Sequence, residues 1–360
     1  MSGNGTTGGP GSRIFDLIVP KRSFFSWLDS LRGRFSLVGP VTEDGQTEFR
    51  ELGSSHEMDM EYQSTMLSPG KVYLYKPRED LFRFSLGKSV EVREPETDQE
   101  QRVIIGLHAC DTNAVRYLDL TFLGSFRDPQ YAARRKNTVI ISLNCARSGE
   151  NCFCASAGAG PFLEGNDGYD MLLTDLGEDY LVELKSGRAL ELFPVDGGSP
   201  AGEDAFRFKQ EKEQAVVHSF RKKLDMDGLN GLLSKRPDHP VWRATAEDRC
   251  LSCTNCVMVC PTCFCYDVVD EISMDLKSVR RYRQWDACQD AHFAEVHGGN
   301  FRARRTARLR QFTTHKLDQT HQYGVFGTVG CGRCITWCPT GIDITDIAKE
   351  VQKSEVGSER

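Results

Sequence analysis

Cys250-Leu-Ser-Cys253-Thr-Asn-Cys256-Val-Met-Val-Cys260-Pro261 is the stretch that decides how this chain is read. The spacing is Cys-x2-Cys-x2-Cys-x3-Cys-Pro. One tight loop can wrap an iron–sulfur cubane and offer three thiolates to three irons, while the fourth cysteine opens a segment leading away and faces a different cluster. A second run must then return the crossing ligand. Cys331-Gly-Arg-Cys334-Ile-Thr-Trp-Cys338-Pro339 is in place to do so. Zinc fits this pattern poorly, because structural zinc sites draw on two well-separated pairs, not on four cysteines crowded together before a proline. The two runs predict two [4Fe-4S] clusters.

Composition sets the frame around them. The 360 residues suffice for two domains with adequate cores. A net charge of −6 gives no global attraction to nucleic acid. Fourteen cysteines would suit a disulfide framework in a secreted protein. Met1 to Arg13, however, is Gly/Ser/Thr-rich without an apolar core, so it reads as a disordered tail and not as a signal peptide. No stretch reaches the ~20 apolar residues of a membrane helix. The expectation is a cytoplasmic protein with no membrane span, whose reduced thiols bind metal.

Residues 14–205 predict an α/β domain. Phe24, Phe25, Trp27, Leu28 and Leu31 fit an amphipathic helix, and Val72 to Tyr75 suggest a strand. Val103 to Ile105 read as a buried strand that ends at Gly106-Leu-His108-Ala-Cys110-Asp111. A helix follows, with Val115, Leu118 and Phe122 on one side and Asp111 as its expected N-cap. A second apolar strand, Thr138 to Leu143, ends at Asn144-Cys145. Strand, helix, strand predicts a right-handed βαβ unit, and such units gather ligands at the carboxyl ends of their strands. Cys110 and Cys145 lie just past two such ends, and Cys152 and Cys154 follow at once. These four predict a third [4Fe-4S] cluster, against the plainer reading of small buried hydrophobes. His108 reads as a hydrogen-bonded neighbour of that site. The glycines at 158, 160, 165 and 168 do not form a dinucleotide fingerprint, so no nicotinamide or flavin site is expected on this chain. Met171 to Leu176 and Tyr180 to Leu184 read as a hairpin, and 195–204 as a surface loop.

Residues 206–245 read as a helical connector, with Val216, Val217, Phe220 and Leu224 on one face. Residues 246–352 then predict an α-helical dicluster ferredoxin domain. The insert between the cysteine runs is expected to be mostly helix, and Ile344, Ile347, Ala348 and Val351 close the chain as an amphipathic helix. The insert is basic, from Lys277 through Arg280, Arg281 and Arg283 to Arg310 and Lys316. Nucleic acid is one reading, but aromatic residues to stack bases are sparse. The preferred reading places the arginines near anionic clusters, whose potential they raise, or at an acidic partner. Crossed ligation gives Cys250, Cys253, Cys256 and Cys338 to one cluster. The other receives Cys260, Cys331 and Cys334, and its fourth position falls on Thr328. One of Cys263, Cys265 and Cys288 is expected to complete it; a three-iron cluster or a water-ligated iron is the alternative.

Several short stretches together resemble a known family. They are Tyr75-Lys-Pro-Arg-Glu79, Gly106-Leu-His-Ala-Cys110-Asp111, Cys152-Phe-Cys154, His239-Pro-Val-Trp242, Cys260-Pro-Thr-Cys263-Phe-Cys265, Trp285-Asp-Ala-Cys288 and Gly330-Cys-Gly-Arg-Cys334. Over residues 70–345 the chain resembles the iron–sulfur β subunit of cytoplasmic NAD(P)-linked [NiFe] sulfhydrogenases and the related iron–sulfur subunit of anaerobic sulfite reductase. The resemblance implies an electron-relay subunit. FAD and NAD(P) would sit on a partner reductase subunit. A catalytic subunit of NiFe hydrogenase, sirohaem sulfite reductase or heterodisulfide reductase type would take up or supply the electrons. Members of the family carry cysteine where this chain has Thr328. A different reading from the residues is a self-contained iron–sulfur reductase with an open-coordination cluster near Thr328.

Overall fold

The structure, a computed structural model, describes residues 15–87, 89–318 and 323–358. The tail expected at residues 1–13 lies outside them. The N-terminal half begins with β1 (Phe15–Pro20), α1 (Lys21–Ser30), β2 (Ser36–Glu43), β3 (Gln46–Glu51) and α2 (Pro69–Leu74). It continues with β4 (Arg78–Leu86), β5 (Val90–Arg93), β6 (Arg102–His108), α3 (Ala109–Phe122), α4 (Pro129–Asn137) and β7 (Thr138–Leu143). It ends with β8 (Met171–Asp175), β9 (Asp179–Leu184), α5 (Gly187–Leu192) and β10 (Ser199–Pro200). Eight strands form one sheet in the order β10-β1-β9-β8-β7-β6-β2-β3. Its centre is parallel, from β2 through β6 and β7 to β8, and its flanks are antiparallel.

Every residue of β6 and β7 is buried. That is the reason both read as unbroken apolar runs: a parallel strand is covered on both faces. Phe24 and Leu28 of α1 pack on one face, with Val103, Ile105, Val139 and Ile141. Leu74 of α2, Val115 and Leu118 of α3 and Tyr131 of α4 cover the other, with Ile104 and Ile140. The expected βαβ unit and the hairpin of β8 and β9 are both present.

Three local expectations fail. Val72 to Tyr75 form the end of α2 and not a strand, because Pro69 fixes the first helical turn. Asp111 does not cap α3; the cap position is His108, and Asp111 sits within the first turn with its carboxylate turned to Arg333. The 195–204 loop contributes β10 to the sheet edge.

The C-terminal half carries α6 (Glu203–His218), α7 (Leu232–Lys235), α8 (Pro240–Asp248) and α9 (Asn255–Met258). After these come β11 (Tyr266–Ile272), β12 (Ser278–Trp285), the two-residue strands β13 (Glu295–Val296) and β14 (Gly299–Asn300), α10 (Arg305–Leu317), α11 (Arg333–Thr336) and α12 (Ile344–Ser358). On α6 and just after it, Val216, Phe220 and Leu224 are buried, whereas Val217 is exposed. Ile344, Ile347, Ala348 and Val351 of α12 pack into one core with Trp242, Leu309 and Phe312.

The insert between the cysteine runs departs from the helical expectation. β11 and β12 form a hairpin, and β12 pairs in turn with β4, giving a second sheet in the order β11-β12-β4-β5. Val268, Val269, Ile272, Val279 and Tyr282 are β-branched or aromatic residues that favour strands, and they lie among charged residues that dominate a composition count. The second sheet binds the two halves of the sequence together. Buried Glu79 of β4 takes both Arg134 of α4 and Arg283 of β12, and Arg283 also reaches Asp128.

Candidate metal centre

The carboxyl ends of β6 and β7 are neighbours in a parallel pair, so Cys110 and Cys145 emerge side by side. The loop after β7 then brings Cys152 and Cys154 to the same place. These four thiols line one cavity with His108, Asp111, Cys331 and Arg333. Glycines let the loop close on the sulfurs: a Cβ on Gly149 would stand 2.9 Å from Cys152 Sγ, and one on Gly160 would stand 3.2 Å from Cys154 Sγ. His108 stacks on Tyr62 at 4.3 Å between ring centroids. Burial lowers its pKa to about 4, so the imidazole is neutral.

A second cavity is lined by Cys250, Cys253, Cys256, Cys334 and Cys338. A third lies between them, lined by Cys260, Cys331 and Cys334 together with Thr328, Thr262 and Lys316. Cys338 lines the cavity of the first run, and Cys260 lines the one that holds Cys331 and Cys334. The three cavities share walls. Cys331 borders the N-terminal and middle ones, and Cys334 borders the middle and the first. The short helices α9 and α11 each begin after a residue in the left-handed region, Thr254 (φ 70°) and Gly332 (φ 74°), which folds each cysteine loop back over its cavity.

Close backbone contact joins the N-terminal site to the second run. Phe153 N donates to Gly330 O at 2.7 Å. A Cβ on Gly330 (φ +61°) would fall 2.6 Å from Cys154 N, and one on Gly332 would fall 2.4 Å from Asn151 O. Arg333, fully buried, donates to Thr65 O at 2.7 Å and to Asp111 Oδ2 at 3.0 Å, and its second terminal nitrogen stands 2.9 Å from Asp111 Oδ1.

Among the described residues, no three His, Cys, Asp or Glu side chains converge as they would on a single metal ion. A cubane asks for something different, since it spreads its thiolates over separate irons. The donor set suits that cofactor. Burial pushes the Cys145 thiol up to about 12 and the Cys331 thiol up to about 11, so each is protonated at neutral pH unless a cation displaces the proton.

Cys263, Cys265 and Cys288 line none of these cavities. The Cys263 thiol is buried beside that of Cys260, and Cys265 lies beside Cys288. Two buried ammonium groups lie beside them. Lys316 Nζ donates to Thr262 Oγ1 at 3.0 Å, and Lys71 Nζ donates to Cys260 O at 3.2 Å and stands 4.2 Å from the Trp285 ring centroid. Lys316 belongs to the basic insert that the sequence places near the clusters, whereas sequence reasoning missed Lys71. Lys71 lies 179 positions before Cys250 in the numbering, and nothing in its neighbours' residue types marks it.

The basic insert divides. Arg280, Arg281 and Arg283 are spent in the second sheet on Asp80, Asp270, Glu79 and Asp128, and do not reach a cluster cavity. Arg305 does come close, donating to Cys250 O at 2.8 Å, and Arg308 donates to Ser252 Oγ at 3.4 Å.

Residues 249–342 match the family model described as "4Fe-4S dicluster domain". Over 320 residues the chain is 33% identical to the sulfhydrogenase 2 subunit beta of Pyrococcus furiosus, covering 88% of this chain and 92% of that protein. The chain belongs to the sulfhydrogenase β-subunit family. It is a mixed α/β iron–sulfur protein with a C-terminal 4Fe-4S dicluster domain. No solved structure matches it. No helix among the described residues is long and apolar enough to cross a membrane.

Proposed function

We propose that this chain is the relay subunit of a hydrogenase-type complex, carrying single electrons through three clusters in a row. The single observation behind the order is the sharing of walls: Cys331 stands between the N-terminal and middle cavities, and Cys334 between the middle and first. The residues that would hold the clusters are Cys110, Cys145, Cys152 and Cys154; Cys260, Cys331 and Cys334; and Cys250, Cys253, Cys256 and Cys338. When bound, each cluster supplies a one-electron couple. The protein supplies the potential. At the N-terminal site Arg333 is balanced by Asp111, whereas Lys316 and Lys71 add positive charge at the middle one, and Arg305 and Arg308 near the first.

Two partner subunits follow from this chemistry. Hydride donors pass electron pairs, so a flavin- and NAD(P)-binding subunit is needed to split them. A catalytic subunit of hydrogenase, sulfite reductase or heterodisulfide reductase type stands at the other end of the relay. The first cavity lies beside exposed Cys253 and Leu251, the latter 62% exposed, which favours it as one point of exchange. The domain limits 14–205, 206–245 and 246–352 and a cytoplasmic location belong to the same proposal.

The test is anaerobic isolation of the full chain. Iron and acid-labile sulfide for three clusters, with EPR signals broadened by spin coupling on full reduction, support the relay. A colourless protein without sulfide, or clusters that show no mutual coupling, refutes it. Co-purifying chains name the partners: a nickel subunit points to hydrogenase, a sirohaem subunit to sulfite reduction.

A further inference from the structure

We infer that the middle cluster is held by only three thiolates, with the hydroxyl of Thr328 in its fourth place. The inference rests on the relay reading and concerns one position within it. Thr328 lines the middle cavity together with Cys260, Cys331 and Cys334, and no other cysteine does. It sits three residues before Cys331, the position from which crossed ligation draws the missing donor. The substitutes that the sequence offers, Cys263, Cys265 and Cys288, line none of the three cavities.

The Thr328 oxygen is held in position. Gly330 N donates to Thr328 Oγ1 at 3.1 Å. Just before it, Gly327 O accepts from Thr262 Oγ1 at 2.7 Å, and Thr262 in turn accepts from Lys316. Lys316 is 2% exposed and Lys71 is 4% exposed. Neither forms a salt bridge to a carboxylate in the described structure; Lys316 Nζ reaches Thr262 Oγ1 and Lys71 Nζ the Cys260 carbonyl, both at this cavity's edge. A site with two buried cations and one thiolate fewer than its neighbours carries less negative charge. Of the three clusters, the middle one therefore takes an electron most readily, and it holds its fourth iron least firmly.

The experiment uses the full chain, isolated anaerobically and then oxidised mildly with ferricyanide, with EPR and Mössbauer spectra as readouts. The expected result is an oxidised three-iron signal stoichiometric with the chain, which disappears when ferrous ion and a thiol reductant are added back. Thr328→Cys abolishes the three-iron signal and lowers the potential of one cluster. Cys263→Ser leaves the signal unchanged. Three intact cubanes that resist oxidation in the wild-type chain would overturn the inference, as would a three-iron signal that arises only in Cys263→Ser. Absence of iron and labile sulfide altogether would instead strike at the relay reading, so the two failures are distinguishable.

Discussion

Removing the Asp111 carboxylate tests how the N-terminal site is fastened to the second cysteine run. Arg333 is 3% exposed and Asp111 1% exposed, and they meet through both carboxylate oxygens at 2.9 and 3.0 Å. Deleting one partner of a buried pair typically costs about 3–5 kcal/mol, because the other charge stays behind unpaired. Arg333 would keep Thr65 O at 2.7 Å and Thr65 Oγ1 at 3.1 Å, so Asp111→Ala belongs at the lower end, about 3 kcal/mol. That corresponds to roughly a 150-fold rise in the population that opens locally at this joint. Asp111→Leu combined with Arg333→Met removes both charges and should recover most of the loss, giving a coupling of about 2 kcal/mol. Anaerobic hydrogen exchange at the Gly332–Cys334 amides measures the opening, and release of iron to a chelator follows it. A loss below about 1 kcal/mol in Asp111→Ala, or a double variant no better than the single, would refute the idea that this pair clamps the two segments.

Three other outcomes are expected. Gly330→Ala forces a Cβ to 2.6 Å from Cys154 N in a left-handed backbone, so the variant should lose several kcal/mol and assemble less iron than wild type; normal iron content and an unchanged unfolding midpoint would count against the close contact. Cys338→Ser should remove about a third of the iron and leave the N-terminal cluster's EPR signal intact, whereas loss of all iron would mean the sites do not load independently. Asp98 is partly buried, which raises its pKa, but Lys76, the Glu100 amide and Arg102 outweigh that and bring it down to about 2. A depressed carboxylate stabilises the fold above its unfolded pKa near 4, and that support is lost as pH falls toward 2. Asp98→Asn should therefore cost about 1–2 kcal/mol at pH 6, after allowing for solvent screening, and nothing near pH 2, as read from tryptophan-monitored urea unfolding.

What the sequence disclosed follows from where the information lies. The dicluster domain is legible because its cysteine runs are local spacings, and local spacing survives in a string of letters. The N-terminal site was legible at one remove. Cys110 and Cys145 are 35 positions apart, but each follows an apolar strand, and two parallel strands bring their ends together. The Lys71 ammonium group was not legible. Lys71 reaches the Cys260 carbonyl from the far end of the chain, and only folding makes them neighbours. The hairpin of β11 and β12 was missed for another reason. Most of its residues are charged or exposed, so its composition resembles that of a solvent-facing helix, and the strand that β12 pairs with, β4, lies nearly 200 positions earlier in the chain.

That second sheet bears on the electrostatics of the whole relay. The arginines of β12 read from sequence as a positive field for the clusters, yet each faces a carboxylate of β4, β11 or the loop before α4. An arginine neutralised by its own carboxylate contributes little field at a distance, since the two charges nearly cancel beyond their separation. The unbalanced positive charges are instead the few that point at sulfur-lined cavities. They are graded: Lys71 and Lys316 are both buried at the middle cavity, whereas of the two arginines near the first, Arg308 is buried and Arg305 is exposed. Buried charge is screened least, so the middle position feels the stronger field. A relay with its most oxidising member in the middle stores an electron between deliveries. Such storage suits a protein that must match a two-electron donor on one side to a catalytic centre on the other.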